Sequence, residues 1–208
     1  MDDALVAVIL AGGKSTRFGS DKASALLAGR PLIEWVLTAA LECCDSVVVV
    51  KARGQSLPAL DVGRSHVEVV EDFIDARGPL AGLVAGLRAI DRPLAFATSC
   101  DVPLLRPRLI SALAHMVDRY DAVVPEVDGQ LQPLVAAYRR STCLPAFERA
   151  LSNGRLRLTD ALRHLDVRVV AEGEVAIFDP ELRSFMNANE RAVLDHIAAR
   201  LTAEKMML

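Results

Sequence analysis

Aromatic residues are scarce in this chain, at 4% of 208 residues with a single tryptophan, and no apolar run approaches the roughly 18 to 20 residues that a membrane-spanning helix needs. A helical membrane protein is thereby excluded. Ala, Leu and Val supply most of the 52% hydrophobic fraction and suit closely packed layers of helix and sheet. Basic charge is not in excess either: the formal net charge is −3, which removes the broad positive field of a nucleic-acid-binding protein, so any polyanionic partner must be small. The four cysteines, Cys43, Cys44, Cys100 and Cys143, form no C-x-x-C pattern and are expected as buried thiols. The four histidines show no H-E-x-x-H or H-x-H spacing, which argues against a zinc or haem site. No repeat, low-complexity tract or Gly/Ser/Pro-rich linker divides the chain, so residues 1–208 are expected to form a single domain. Met1-Asp2-Asp3 is acidic where a signal peptide would be basic, and a cytoplasmic location is expected.

What the sequence does contain is an alternation of short β-branched runs with amphipathic helical stretches, the pattern of βαβ units and a mostly parallel sheet. Residues 4–10 (ALVAVIL) are a continuous apolar run, as expected of a central strand buried on both faces. Pro31 opens a helix with Leu32, Trp35, Val36, Ala39 and Cys43 on one stripe. Strands are expected near 47–50, 67–70, 94–98 and 121–125, with helices from Pro79, from Pro107 to about Arg119, over about 142–152 and over about 189–203. Gly82 and Gly86 lie four apart in the helix GPLAGLVAGLRAI, each costing about 1 kcal/mol relative to Ala. The pair implies close approach either to another backbone or to a ligand.

Right-handed crossovers put the strand-to-helix loops at the carboxyl edge of such a sheet, where ligands bind. The loops 11–22, 71–78 and 99–103 are expected there. The first, within LAGGKSTRFGSDK, partly resembles a P-loop, but the position five before Gly13 is Val8, the first Walker glycine is missing and no guanine-reading N-K-x-D follows. Its parts still suit phosphate. Gly12 and Gly13 allow a nest of backbone N–H groups, and Lys14, Arg17 and Lys22 supply cations along the loop.

The strand at 67–70 runs into Glu71-Asp72 and the strand at 94–98 into Ser99-Cys100-Asp101, which suggests carboxylates at neighbouring strand ends facing one crevice. Mg²⁺ favours one or two carboxylates combined with phosphate oxygens and water. Asp101 is the better candidate ligand, with Pro103 stiffening the turn behind it; its alternative role is a helix cap. No Ser-His-Asp or Cys-His constellation is evident, and phosphoryl or nucleotidyl transfer needs none, since it relies on alignment and charge neutralisation.

LAGGKSTRFGSDK, GPLAGL, the Asp of SCDVPLL, QPLVAAYRR and FMNANERAVLD occur in this order, and together they resemble the molybdenum cofactor guanylyltransferases. These belong to the larger nucleotidyltransferase family sharing L-A-G-G-x-S-x-R-M-G-x-D-K. The resemblance spans about residues 4–195. It implies a three-layer, doubly wound, Rossmann-like α/β fold and transfer of GMP from Mg·GTP to the terminal phosphate of molybdenum-molybdopterin, releasing pyrophosphate. It assigns Leu10, Ala11, Gly12 and Gly13 to a guanine and phosphate platform, Lys22 to the GTP phosphates, Asp72 to a nucleotide contact and Asp101 to Mg²⁺. Arg17 would steady the β and γ phosphates; Gln132, Pro133, Arg157, Asn187 and Asn189 would lie on the pterin side. The implied partners are GTP, molybdenum-molybdopterin, and proteins that deliver the pterin or mature molybdoenzymes, with no nucleic acid or membrane. The chain departs from the pattern at Phe18, where Met is usual, and at Lys51-Ala52-Arg53, where many members carry Asn and make a base or ribose contact.

Two alternatives stay open. One is a CTP-dependent molybdenum cofactor cytidylyltransferase or another small nucleotidyltransferase, although Gly13 and Gly78-Pro79-Leu80-Ala81-Gly82 favour the GTP branch because a purine needs backbone room. The other is a non-catalytic nucleotide-binding module.

Overall fold

The computed structural model describes residues 4–12, 22–60, 66–72, 78–189, 193–195 and 197–199. The chain begins with β1 (Leu5–Leu10), then a short hairpin of β2 (Leu26–Leu27) and β3 (Arg30–Pro31), then α1 (Leu32–Leu41). Next come β4 (Ser46–Ala52), β5 (His66–Asp72), α2 (Pro79–Ala89), β6 (Leu94–Ser99) and α3 (Pro107–His115). The remainder comprises β7 (Ala122–Val127), β8 (Gln130–Leu131), β9 (Val135–Arg139), α4 (Arg140–Ser152), α5 (Leu158–Leu162), β10 (Val167–Val170) and α6 (Glu172–Val175).

Among the described residues, the larger sheet has the order β10-β7-β9-β6-β1-β4-β5, with β8 on β7. The pairs β1–β4, β1–β6, β4–β5 and β7–β10 are parallel, whereas β9 runs antiparallel to β6 and β7. The mostly parallel three-layer reading holds. Reversal at β9 brings the residues that precede it, Gln132 to Leu134, to the carboxyl edge of the parallel strands.

Every residue of β1 is buried, and its period-2 alternation divides two cores. Leu5, Ala7 and Ile9 pack with Ile33, Leu37, Leu109 and Leu113 of α1 and α3, while Val6, Val8 and Leu10 pack with Leu80, Leu83, Leu87 and Phe147 of α2 and α4. Three layers follow from one apolar strand. The glycine pair of α2 is explained here. A Cβ on Gly86 would lie 2.2 Å from Val8 Cγ1, and one on Gly82 would lie 3.2 Å from Leu10 Cδ2. Helix-to-sheet packing, rather than a ligand, requires the small residues.

Several expectations need adjustment. Helix α3 stops at His115 and a turn carries the chain to Arg119. Cys43 lies beyond the end of α1, in the turn after Leu41. Trp35 is only half-buried: its Nε1 donates to Leu27 O at 3.2 Å, and Arg30 lies 5.3 Å from its ring centroid. The helix expected over about 189–203 lies partly outside the described residues; 193–195 and 197–199 are helical. Two tight hairpins escaped the pattern reading. Ala28 and Gly29 (φ 51° and 80°) join β2 to β3, and Asp128 and Gly129 (φ 52° and 68°) join β7 to β8. Both two-residue loops have positive φ at both positions, the twist-matched hairpin geometry.

Cys44, Cys100 and Cys143 are buried free thiols, as expected, and Cys43 is half-buried. Burial, with the Asp121 carboxylate nearby, pushes the Cys143 thiol up to about 12. We expect Cys143 to resist iodoacetamide at pH 8 in the folded protein and to react on denaturation; rapid native labelling, read by peptide mass mapping, would contradict that placement.

Candidate functional site at the carboxyl edge of the sheet

Asp101 follows β6 within two residues of its end, which sets it at the carboxyl edge. Its side chain is largely buried, and Ser99 Oγ donates to Asp101 Oδ1. Lys22 Nζ lies 2.7 Å from Asp101 Oδ2 and also donates to Asn189 Oδ1. Capping is not the role of Asp101, because the residue preceding α3 is Arg106. Three residues separated by 79 and 167 positions thus meet around one carboxylate.

The segment around Ala188 explains how Asn189 arrives there. Ala188 N donates to Asp101 O at 2.7 Å and Ala188 is fully buried, so the main chain is tied down beside Asp101. Asn189 N donates to Asn187 O at 2.8 Å across a tight turn at Ala188, and both asparagines are exposed. Both line a cavity of about 440 Å³, together with Asp101, Gln132, Pro133 and Arg157, a volume suited to a small-molecule ligand. The sequence-based assignments on the pterin side therefore converge on one cavity.

The nucleotide-side assignments divide. Leu10 buries its side chain against α2, and its carbonyl accepts from Cys100 N at 3.1 Å, so its side chain is a core element. Ala11 is buried and Gly12 exposed just beyond β1. A Cβ on Gly12 would lie 2.8 Å from Ala52 N, and only glycine permits that approach of the two chains. Gly13 and Arg17 lie outside the described residues.

Asp72 corrects the expectation of carboxylates at neighbouring strand ends. It is the last residue of β5, paired in register with Ala52, and β4 and β1 intervene between β5 and β6. Three strand spacings amount to about 14 Å. The sequence gives strand ends but not strand order. Asp72 and Asp101 lie along the same edge rather than facing one small crevice.

Lys51, in the segment that departs from the family pattern, is turned to bracing. Its Nζ donates to Gln55 O at 3.0 Å and lies 3.2 Å from Glu71 Oε1. Hydrogen bonds from Lys51 and the Gly54 backbone hold the Glu71 carboxyl below its usual range. Arg53 is exposed. Pattern reading assigned no role to Ser99 or Gln55. Ser99 had a signal in its place two residues before Asp101, whereas Gln55 had none.

The donors around Asp101 are hard oxygens, and Lys22 shows that they already accommodate a cation. Among the described residues no cluster of three or more His, Cys, Asp or Glu side chains could hold a metal alone. A single carboxylate suits a magnesium ion that brings phosphate oxygens and water with it.

Residues 7–171 match the family model for the MobA-like NTP transferase domain. The chain belongs to this family. Molybdenum cofactor guanylyltransferase from Desulfosudis oleivorans is 35% identical over 98% of this chain and 99% of its own length. A probable molybdenum cofactor guanylyltransferase from Bacillus subtilis is 35% identical, covering 89% of this chain and 90% of its own length. Molybdopterin-guanine dinucleotide biosynthesis protein A from Archaeoglobus fulgidus has a similar structure: TM-score 0.80 and 27% identity over 96% of this chain and 99% of that one. The MobA-like family is a nucleotidyltransferase family, and its model spans most of this chain. No helix among the described residues is long and apolar enough to cross a membrane.

Proposed function

We propose that this protein transfers GMP from Mg·GTP to the terminal phosphate of molybdenum-molybdopterin, releasing pyrophosphate. The observation that carries the reading is the convergence of Lys22, Ser99, Asp101 and Asn189 beside the 440 Å³ cavity. It supplies a cation and a metal-grade carboxylate next to space for an acceptor. The resemblance to guanylyltransferases over nearly the whole chain supports the nucleotide and acceptor.

The nucleotide would lie along the carboxyl edge, its base toward Ala11, Gly12 and Asp72 and its phosphates toward Lys22 and Arg17. Asp101, with Ser99 and Asn189 beside it, would hold Mg²⁺, which when bound neutralises charge on the triphosphate and the departing pyrophosphate. Gln132, Pro133, Arg157, Asn187 and Asn189 would orient the acceptor, whose terminal phosphate oxygen attacks the α-phosphorus of GTP. Alignment of that oxygen opposite the leaving pyrophosphate is the main task of the protein. Proteins that deliver the pterin or receive the product are proposed partners.

Calorimetric titration with GTP, CTP, UTP and ATP in the presence of Mg²⁺, followed by transfer assays with molybdopterin, tests this reading. Selective GTP binding and guanylylated product are expected; preference for CTP would move the protein to the cytidylyl alternative. Replacing Lys22 by Ala removes a charge-assisted phosphate contact, and GTP affinity should fall about ten- to a hundredfold. Unchanged affinity would show that Lys22 serves the ligand-free protein alone.

A further inference from the structure

We propose that Gln55 is a positioning residue that sets the backbone of Ala11 and Gly12 for nucleotide recognition; this role rests on the nucleotidyl-transfer reading. The parallel ladder between β1 and β4 ends at the pair Leu10 and Val50. Beyond it the two chains need another tie. Ala11 N and Gly12 N both donate to Val50 O, at 2.8 and 3.2 Å. The Ala11 carbonyl accepts from Gln55 Nε2 at 3.0 Å, and Gln55 Oε1 accepts from Ala52 N at 2.8 Å. One amide therefore grips the ends of two strands. Both groups of the amide are used, donor to one chain and acceptor to the other.

The grip is itself anchored. A turn sets Gln55, with Gln55 N donating to Ala52 O at 3.0 Å. Lys51 holds the Gln55 carbonyl and reaches Glu71 on β5. The brace thus runs from β5 through β4 to β1, along the edge where the proposed nucleotide lies. Gly12 lies so close to the Ala52 nitrogen that Gln55 holds that a Cβ there would come within 2.8 Å of it. A shift of Ala52 is transmitted directly to the platform. Val50 O holds the N–H side of the Ala11–Gly12 peptide and Gln55 its carbonyl side, and base selectivity read by backbone groups depends on their direction.

Two substitutions separate this role from general support. Gln55→Glu keeps the shape and the acceptor for Ala52 N but turns an oxygen toward Ala11 O. Gln55→Met keeps the volume and removes both bonds. We expect either to raise KM for GTP about tenfold, the size of one lost hydrogen bond, with a smaller change in kcat. The preference for GTP over CTP in kcat/KM should shrink by a similar factor. Faster amide exchange at Ala52 is expected for Gln55→Met, which removes its acceptor, and not for Gln55→Glu, with Tm nearly unchanged in both. Variants that bind GTP as tightly and as selectively as the wild type would overturn the role of Gln55 alone. So would a fall in Tm with KM and selectivity unchanged well below it, since that marks mere support. A wild-type protein that binds no nucleotide would overturn the functional reading, and this role with it.

Discussion

Replacing Asp101 by Asn should abolish guanylyl transfer, by about a thousandfold or more, while leaving a folded protein. The carboxylate lies against Lys22 and Ser99, and its charge is what a magnesium ion would require. Folding is expected to withstand loss of that charge. The tie between Ala188 N and Asp101 O is made by main chain and survives the substitution. Asn also retains an oxygen to accept from Lys22 or Ser99. Circular dichroism should be unchanged, and added Mg²⁺ should no longer stimulate turnover. Normal turnover in this variant would remove Asp101 from the metal site; if the protein were a non-catalytic module, the substitution would leave its function intact.

The second large effect concerns stability. Gly86→Ala places a Cβ 2.2 Å from Val8 Cγ1 in the central strand, where Val8 is fully buried and flanked by β4 and β6. Val50 Cγ2 would lie 3.2 Å away, and neither valine is a flexible side-chain end. Overpacking costs about 1 to 3 kcal/mol, here near the top of the range, and the better helix propensity of Ala returns about 1 kcal/mol. A net loss of about 2 kcal/mol should lower Tm by about 4 to 8 °C in a domain of this size. Gly82→Ala is the control. Its Cβ would meet the far end of Leu10 at 3.2 Å, which can shift, so its effect should be small. In a double-mutant cycle, Val8→Ala should relieve Gly86→Ala, making the pair less destabilised than the sum. Simple additivity would mean that α2 does not press on β1 at this point.

Much of the site was legible because its parts are local. Asp101 follows a buried strand, and the Gly12 loop follows the strand that the run ALVAVIL announces. The error over Asp72 has a definite cause: two strands of identical direction can be adjacent or three apart, and nothing in either segment records which. The glycine pair of α2 raised the correct question and left two answers, close packing or a ligand, because periodicity gives the face of a helix and not what that face meets. Gln55 was illegible for another reason. Its partners are backbone atoms, and these carry no sequence signal.

The amino-acid sequence by itself determined the layered α/β architecture, the central buried strand, the carboxyl-edge loops and the family, since each depends on residue patterns within a short stretch or on motifs in order. Only the tertiary structure decided that Lys22, Asp101 and Asn189 meet, that Asp72 lies three strands from Asp101, that Gly86 yields to Val8 and that Gln55 joins two strand ends. These facts depend on strand order, on the reversal at β9 and on the return of the chain near Ala188. Each is a long-range contact, selected by the packing of the whole chain rather than by the local preference of any segment.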